Sequence, residues 1–279
     1  MKRREFLVSS AIGSVGVSAN FGLSTANPAI TTAMTEPVSS DAVPVAPATA
    51  ATRKILIAGG GYGTAFIRYM AALTGKKRPR LCYLPTASAD SPQGIIGWYQ
   101  SCAPLDVEPH VQESFIESTT QLKGWDEVLL SMDGIVCSGG NTLNQQAIWK
   151  AQGIDAVLRQ AWDQGIVLGG ASAGSLCWFE EGTTDSRPKE LTIVKCLGFL
   201  KGSHSPHSDA EAARRPTYHR LIQSGQMKAG YACDNDAGIY FEDNEVKRVV
   251  ASRDGAKCYR VSLKDGKVVE DVMAPERIS

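Results

Sequence analysis

The sequence predicts an α/β domain built on a mostly parallel sheet, with antiparallel hairpins at its C-terminal end, and three observations lead there. From Arg53 onward, short apolar runs bounded by glycine or proline alternate with helix-length stretches, as in buried parallel strands joined by crossover helices. Two of those runs end in glycine clusters, Gly59-Gly60-Gly61-Tyr62-Gly63 and Gly169-Gly170-Ala171-Ser172-Ala173-Gly174. Open α/β sheets bind their ligands at such strand ends. After about Ala232 the pattern changes to short strands broken by turn residues at Glu242-Asp243-Asn244 and Asp265-Gly266, which read as hairpins of the same domain.

The elements follow in order. Lys54 to Ala58 is a strand, and a helix runs from about Thr64 to Thr74. Leu81 to Leu84 forms a second strand before a helix around Pro92 to Cys102. A third strand covers Val107 to Phe115 and a helix Leu122 to Ser131. The strand Gly134 to Cys137 then enters Ser138-Gly139-Gly140-Asn141-Thr142. Helices over Leu143 to Lys150 and Ile154 to Gln164 lead to the strand Ile166 to Leu168, and a further helix starts near Ala173. A strand at Leu197 to Leu200 and a helix over Ala210 to Gln223 precede the hairpins.

The N-terminus differs in composition. Arg3-Arg4 stands directly before an uncharged run from Phe6 to about Phe21, and Arg-Arg-x-Phe-Leu is the order of a twin-arginine export signal. Gly13 and Gly16 interrupt this run, and it is too short for a stable membrane span. The expected organisation is a signal peptide over 1–30, an Ala/Pro/Thr-rich linker over 31–52 and one catalytic domain over 53–279. A periplasmic or secreted bacterial protein and the export machinery as a partner follow from that reading.

The balance of Lys+Arg 29 against Asp+Glu 29 argues against nucleic acid as a partner, since phosphate binding needs a surplus of cations. The seven cysteines contain no CxxC pair, and several lie in apolar runs, so they read as buried free thiols. No Cys/His cluster has metal-ligand spacing, and neither a metal nor another cofactor is expected. The Gly59 cluster lacks the last glycine of a dinucleotide fingerprint, because Thr64 stands there. Turning and close approach at a strand end explain it better.

Gly170-Ala171-Ser172-Ala173-Gly174 is a full GxSxG between an apolar strand and a helix. That is the setting of a nucleophile elbow, where small neighbours permit the strained turn that exposes the serine hydroxyl. A serine nucleophile needs a base. Of the four histidines, His204 and His207 follow a predicted strand and emerge near Ser172, whereas His110 and His219 do not. A third group to hold the imidazole comes from Glu180, Glu181, Asp185 or Glu190, with Asp185 favoured by its place in a polar turn after the elbow helix.

Ser138 to Thr142 (SGGNT), Gly169 to Gly174 (GGASAG), Thr183 to Asp185 (TTD) and Gly202 to His207 (GSHSPH) together resemble the dipeptidase E family of serine peptidases. These are relatives of cyanophycinase. The resemblance runs from about Arg53 to the C-terminal hairpins. It implies a flavodoxin-like three-layer sandwich similar to class I glutamine amidotransferase domains. It also implies Ser172 as nucleophile, His207 as base, Asp185 as acid, and an oxyanion hole from the Ala173 amide with that of Gly139 or Gly140. The implied activity is release of N-terminal aspartate from short peptides, chiefly dipeptides. An aspartyl side chain calls for a bidentate cation, and Arg214 and Arg215 are the candidates, with Asn141 as a further substrate-binding residue.

Four rival readings remain at this stage. A glutamine amidotransferase would carry cysteine where Ser172 stands. Cyanophycinase-type relatives, cleaving β-Asp-Arg linkages, generally carry GGDQ in place of Gly139-Gly140-Asn141-Thr142. An α/β-hydrolase esterase would place its histidine near the C-terminus. A non-catalytic binding module would keep the elbow for packing alone.

Overall fold

In the computed structural model, residues 51–115 and 122–279 are described. The expected signal peptide and nearly all of the expected linker lie outside them. Chain contacts group Ala48–Ser279 as one compact unit. Its first strand, β1 (Lys54–Ala58), leads to α1 (Thr64–Leu73), β2 (Arg80–Leu84), α2 (Pro92–Cys102), β3 (Glu108–Val111) and α3 (Trp125–Leu129). Next come β4 (Gly134–Cys137), α4 (Thr142–Gln152), α5 (Ile154–Asp163), β5 (Val167–Ala171) and α6 (Ala173–Leu176). The chain continues through β6 (Phe179–Thr184), β7 (Thr192–Lys195), β8 (Leu200–Ser205), α7 (Arg214–Gln223) and β9 (Gly230–Cys233). It ends with β10 (Ala237–Glu242), β11 (Glu245–Ala251), β12 (Cys258–Lys264), β13 (Lys267–Met273) and β14 (Glu276–Arg277).

Two sheets result. The first has the order β14-β11-β10-β1-β5-β4-β2-β3, and its run from β1 to β3 is parallel throughout. These are the apolar runs anticipated in the sequence; Ile55, Leu56, Ile57, Leu81, Ile135 and Leu168 are fully buried. A parallel strand covered on both faces needs such a continuous apolar run. β10 and β11 extend the sheet as an antiparallel hairpin around the Asp243-Asn244 turn.

The second sheet, β13-β12-β9-β8-β6-β7, mixes parallel and antiparallel pairs. The first sheet is the mostly parallel one expected from sequence, and this second, mixed sheet is an addition to it. Two of its inner strands are polar: β6 is Phe-Glu-Glu-Gly-Thr-Thr and β8 is Leu-Lys-Gly-Ser-His-Ser. Their buried hydroxyls bond one another, as Thr183 Oγ1 and Ser205 Oγ do at 2.8 Å, so they show no apolar alternation. Other expected elements shift in their bounds. The strand around Leu197 begins at Leu200 and carries His204 inside it, the helix expected from Ala210 begins at Arg214, and β3 is shorter than Val107 to Phe115.

Among the described residues, no helix is long and apolar enough to cross a membrane. All seven cysteines are free, and six are buried.

Candidate active site

The carboxyl ends of β1, β5 and β4 lie side by side, and the two glycine clusters meet there. β5 passes into α6 through Ser172, whose backbone is held at φ 58°, ψ −120°. A non-glycine residue there is strained, and strain of this kind is retained where it positions a reacting group. Gly170, at φ 146°, has no side chain to collide with the Cys137 carbonyl of the neighbouring strand. The elbow therefore forms because the chain is small where two strands and a helix start converge. Ser172 stands at its tip.

His207 follows β8 and also has a positive φ, 56°. Its Nε2 accepts the Ser172 hydroxyl proton at 2.8 Å, and its Nδ1–H donates to Asn235 Oδ1 at 2.7 Å. An amide oxygen only accepts, so Asn235 fixes the tautomer with the proton on Nδ1 and the lone pair facing the serine. Asn235 is itself held. Its N–H donates to Asp209 Oδ1 at 2.8 Å, and Arg253 Nη2 donates to its carbonyl at 2.8 Å. Burial opposes ionisation of Asp209, but the Asn235 amide and the Arg253 guanidinium hold its carboxyl below the ordinary range.

Gly60 explains the first glycine cluster. A Cβ there would strike Asn235 Oδ1 and approach His207 Cε1 at 2.9 Å. The β1 glycines thus let the backbone pass beneath the imidazole and its partner. This is the close approach of backbone to side chains that glycine permits.

The expectation that Asp185 holds the imidazole is not met. Asp185 leaves the end of β6, its side chain is 66% exposed, and it pairs with Arg214 Nη2 at 3.4 Å. Strand β6, read from sequence as a turn, carries it away from Ser172. Glu180 and Glu181 bond Lys228, and Glu181 also pairs with Lys195. The sequence reading missed Asn235. The signal was the polar run Asp234-Asn235-Asp236, which leaves β9 beside the strand preceding His207.

His204, the alternative base, is fully buried in β8. Its Nδ1–H donates to the Tyr231 carbonyl at 3.1 Å, and its Nε2 lies 2.9 Å from Ser175 Oγ. Ser175 Oγ is also 2.8 Å from the Ser172 carbonyl, so its one proton serves one or the other. Burial pushes the His204 pKa down to about 3, and the imidazole is neutral.

Gly139 faces Ser172: a Cβ there would sit 3.2 Å from Ser172 Cβ. The Gly139 and Ala173 amides donate to no acceptor among the described residues, and free donors beside a serine suit a developing oxyanion. Gly140 packs on the Ala87 carbonyl. Asn141 caps α4, accepting from the Asn144 amide at 2.9 Å and donating to the Ser186 carbonyl at 3.1 Å. Neither expected arginine reaches the serine. Arg214 is 3% exposed and bonds Glu211, the Thr183 carbonyl and Asp185. Arg215 pairs with Glu270 and lies over the Tyr259 ring. A cavity of about 390 Å³ opens onto Ser172 and His207, within the size range of small-molecule sites.

A family model described as Peptidase family S51 matches residues 55–249. The chain is 40% identical over 221 residues to the "Uncharacterized peptidase YgaJ" of Bacillus subtilis (strain 168), covering 77% of this chain and 94% of that protein. The fold is similar to the crystal structure of a peptidase from an acI-B1 Actinobacterium, with TM-score 0.63 at 15% identity over 82% of this chain and 97% of that one. It is also similar to a putative peptidase E protein from Listeria monocytogenes EGD-e, with TM-score 0.55 at 17% identity over 72% of this chain and 99% of that one. With the family model spanning most of the domain and a close relative named as a peptidase, the chain belongs to peptidase family S51, the family of dipeptidase E, and is a peptidase.

Proposed function

We propose that the protein is a serine exopeptidase of short peptides that works through an acyl-enzyme, with Ser172 as nucleophile and His207 as general base and acid. Asn235 is the positioning residue. The observation that carries this is the continuous chain of short hydrogen bonds from Ser172 Oγ through His207 to Asn235, at a strained elbow.

The chemistry follows from the positions. Ser172 Oγ attacks the peptide carbonyl carbon while its proton passes to His207 Nε2. The carbonyl oxygen takes the negative charge beside the Ala173 amide at the start of α6 and the Gly139 amide after β4, where the donors require no reorganisation. Collapse breaks the C–N bond as His207 returns the proton to the leaving amine. Water then attacks the ester, giving its proton to His207, and the acid leaves with Ser172 restored. The cavity volume suits a substrate of about two residues.

A fluorophosphonate probe tests the reading at its base. Covalent labelling of the wild-type protein that disappears in Ser172→Ala, together with loss of peptide hydrolysis by roughly 10⁴-fold or more, is the expected result. Labelling that persists in Ser172→Ala sinks the assignment.

We further propose that residues 1–30 carry a twin-arginine export signal and that the peptidase works outside the cytoplasm. Support comes from Arg3-Arg4 ahead of an uncharged run.

A further inference from the structure

Resting on the serine peptidase reading above, we propose that the pocket for the substrate residue on the acyl side of the scissile bond selects an uncharged apolar or aromatic side chain, and not aspartate.

Strand order decides which wall is which. His207 stands over β1, where Gly60 passes beneath it, and Gly139 leaves β4 on the opposite side of Ser172. The leaving amine must face the imidazole that protonates it. The acyl residue therefore extends the other way, over β4 and β2, toward α2.

That wall is neutral. Tyr83 of β2 and Trp98 of α2 line the cavity and stack on each other, with ring centroids 5.5 Å apart and 12° between planes. Gly94, Gly97 and Ser101 share the Trp98 face of α2 at helical spacing, so the helix presents one large ring among small residues. At Gly97 a Cβ would meet nothing within 4 Å, which leaves room for a substrate side chain. Among the described residues, no Arg, Lys, Asp or Glu lines the cavity, and His207 is its one titratable base.

The tyrosines add no charge. Burial raises the Tyr83 pKa, and Tyr62, which donates to Met70 Sδ at 3.4 Å, is raised well above its ordinary value by burial. The cations anticipated for aspartate, Arg214 and Arg215, are both engaged in ion pairs elsewhere. A carboxylate or an ammonium brought against Tyr83 and Trp98 would lose water without gaining a counter-charge, whereas an apolar side chain gains from burial and from ring contact.

The test is hydrolysis of Phe-Ala, Leu-Ala, Asn-Ala, Asp-Ala and Lys-Ala by the purified full chain, compared as kcat/KM. Leu and Asp are similar in size, and Asn matches Asp without its charge. The expected order has Phe-Ala and Leu-Ala ahead of Asp-Ala and Lys-Ala by about a hundredfold, with Asn-Ala between. Asp-Ala equal to or better than Leu-Ala, with Ser172 still labelled by the fluorophosphonate, overturns this inference and leaves the peptidase reading standing. No hydrolysis and no labelling overturns both.

Gly97→Leu supplies the second arm. It fills the open space on α2 and is expected to lower the Phe-Ala to Ala-Ala ratio at least tenfold. A Phe-Ala to Ala-Ala ratio unchanged in a variant that keeps the wild-type circular dichroism places the side-chain pocket elsewhere and also overturns the inference.

Discussion

At the scale of single residues, Asn235 can orient His207 but cannot neutralise the imidazolium formed when Ser172 gives up its proton. A carboxylate in the same place would do both. Asn235→Ala is therefore expected to reduce kcat by roughly a hundredfold, because the ring loses its partner at Nδ1 and samples unproductive orientations. Asn235→Asp should keep substantial turnover and move the acid limb of the kcat/KM profile to higher pH, since the new charge favours the protonated ring. A purely structural role would change stability and leave the pH profile in place, so that profile is the deciding measurement. If Asn235→Ala stays within twofold of the wild-type kcat, the positioning role is wrong. Glutamate and aspartate were the side chains expected for this place, and an amide gives no sign in a sequence that it will be used as an acceptor. Its neighbours Asp234 and Asp236 were the visible feature.

At the scale of elements, legibility followed apolarity. β1, β4 and α2 occur where the sequence placed them, and β5 overlaps its expected position but runs on into the glycine cluster. β6 and β8 are stabilised by hydroxyl pairs and by one buried imidazole, so their periodicity is invisible to a hydrophobic pattern. That gap made Asp185 look close to Ser172 and left His204 and His207 equivalent. His204, stacked on Phe179 at 5.1 Å, ties β8 to α6 beneath the elbow. Its burial carries a pH dependence. In the unfolded chain a histidine takes a proton near pH 6.5, whereas His204 stays neutral down to about 3. Between those values unfolding binds a proton, so this contribution is complete above pH 6.5 and is lost as the pH falls toward 3. Well below 6.5 the slope is about 1.4 kcal/mol per pH unit. Denaturant midpoints at pH 7.5 and pH 5 should therefore separate more for the wild type than for His204→Gln. Equal separations would show that His204 is not the group responsible.

At the scale of the whole molecule, the absence of net charge and the free thiols bear on where the protein works. With 29 acidic and 29 basic side chains, no overall field draws charged substrates toward the cavity, which agrees with selection by a neutral pocket. Cys233 and Cys258 face each other across β9 and β12, and burial raises the Cys258 thiol well above its ordinary pKa, with the neighbouring Cys233 adding to the shift. Paired cysteines in register are within reach of a disulfide if the chain meets an oxidising compartment before folding. A chain that folds first shields them. The proposed twin-arginine export, a route for folded proteins, would carry these thiols across already shielded. Two measurements on bacterial cells making the full chain check this together. The wild type should appear in the periplasmic fraction with seven titratable thiols after denaturation, and the Arg3→Lys/Arg4→Lys double variant should stay in the cytosol. Wild type and variant found together in the cytosol would refute export, and a periplasmic protein with five thiols or fewer would refute folding before passage.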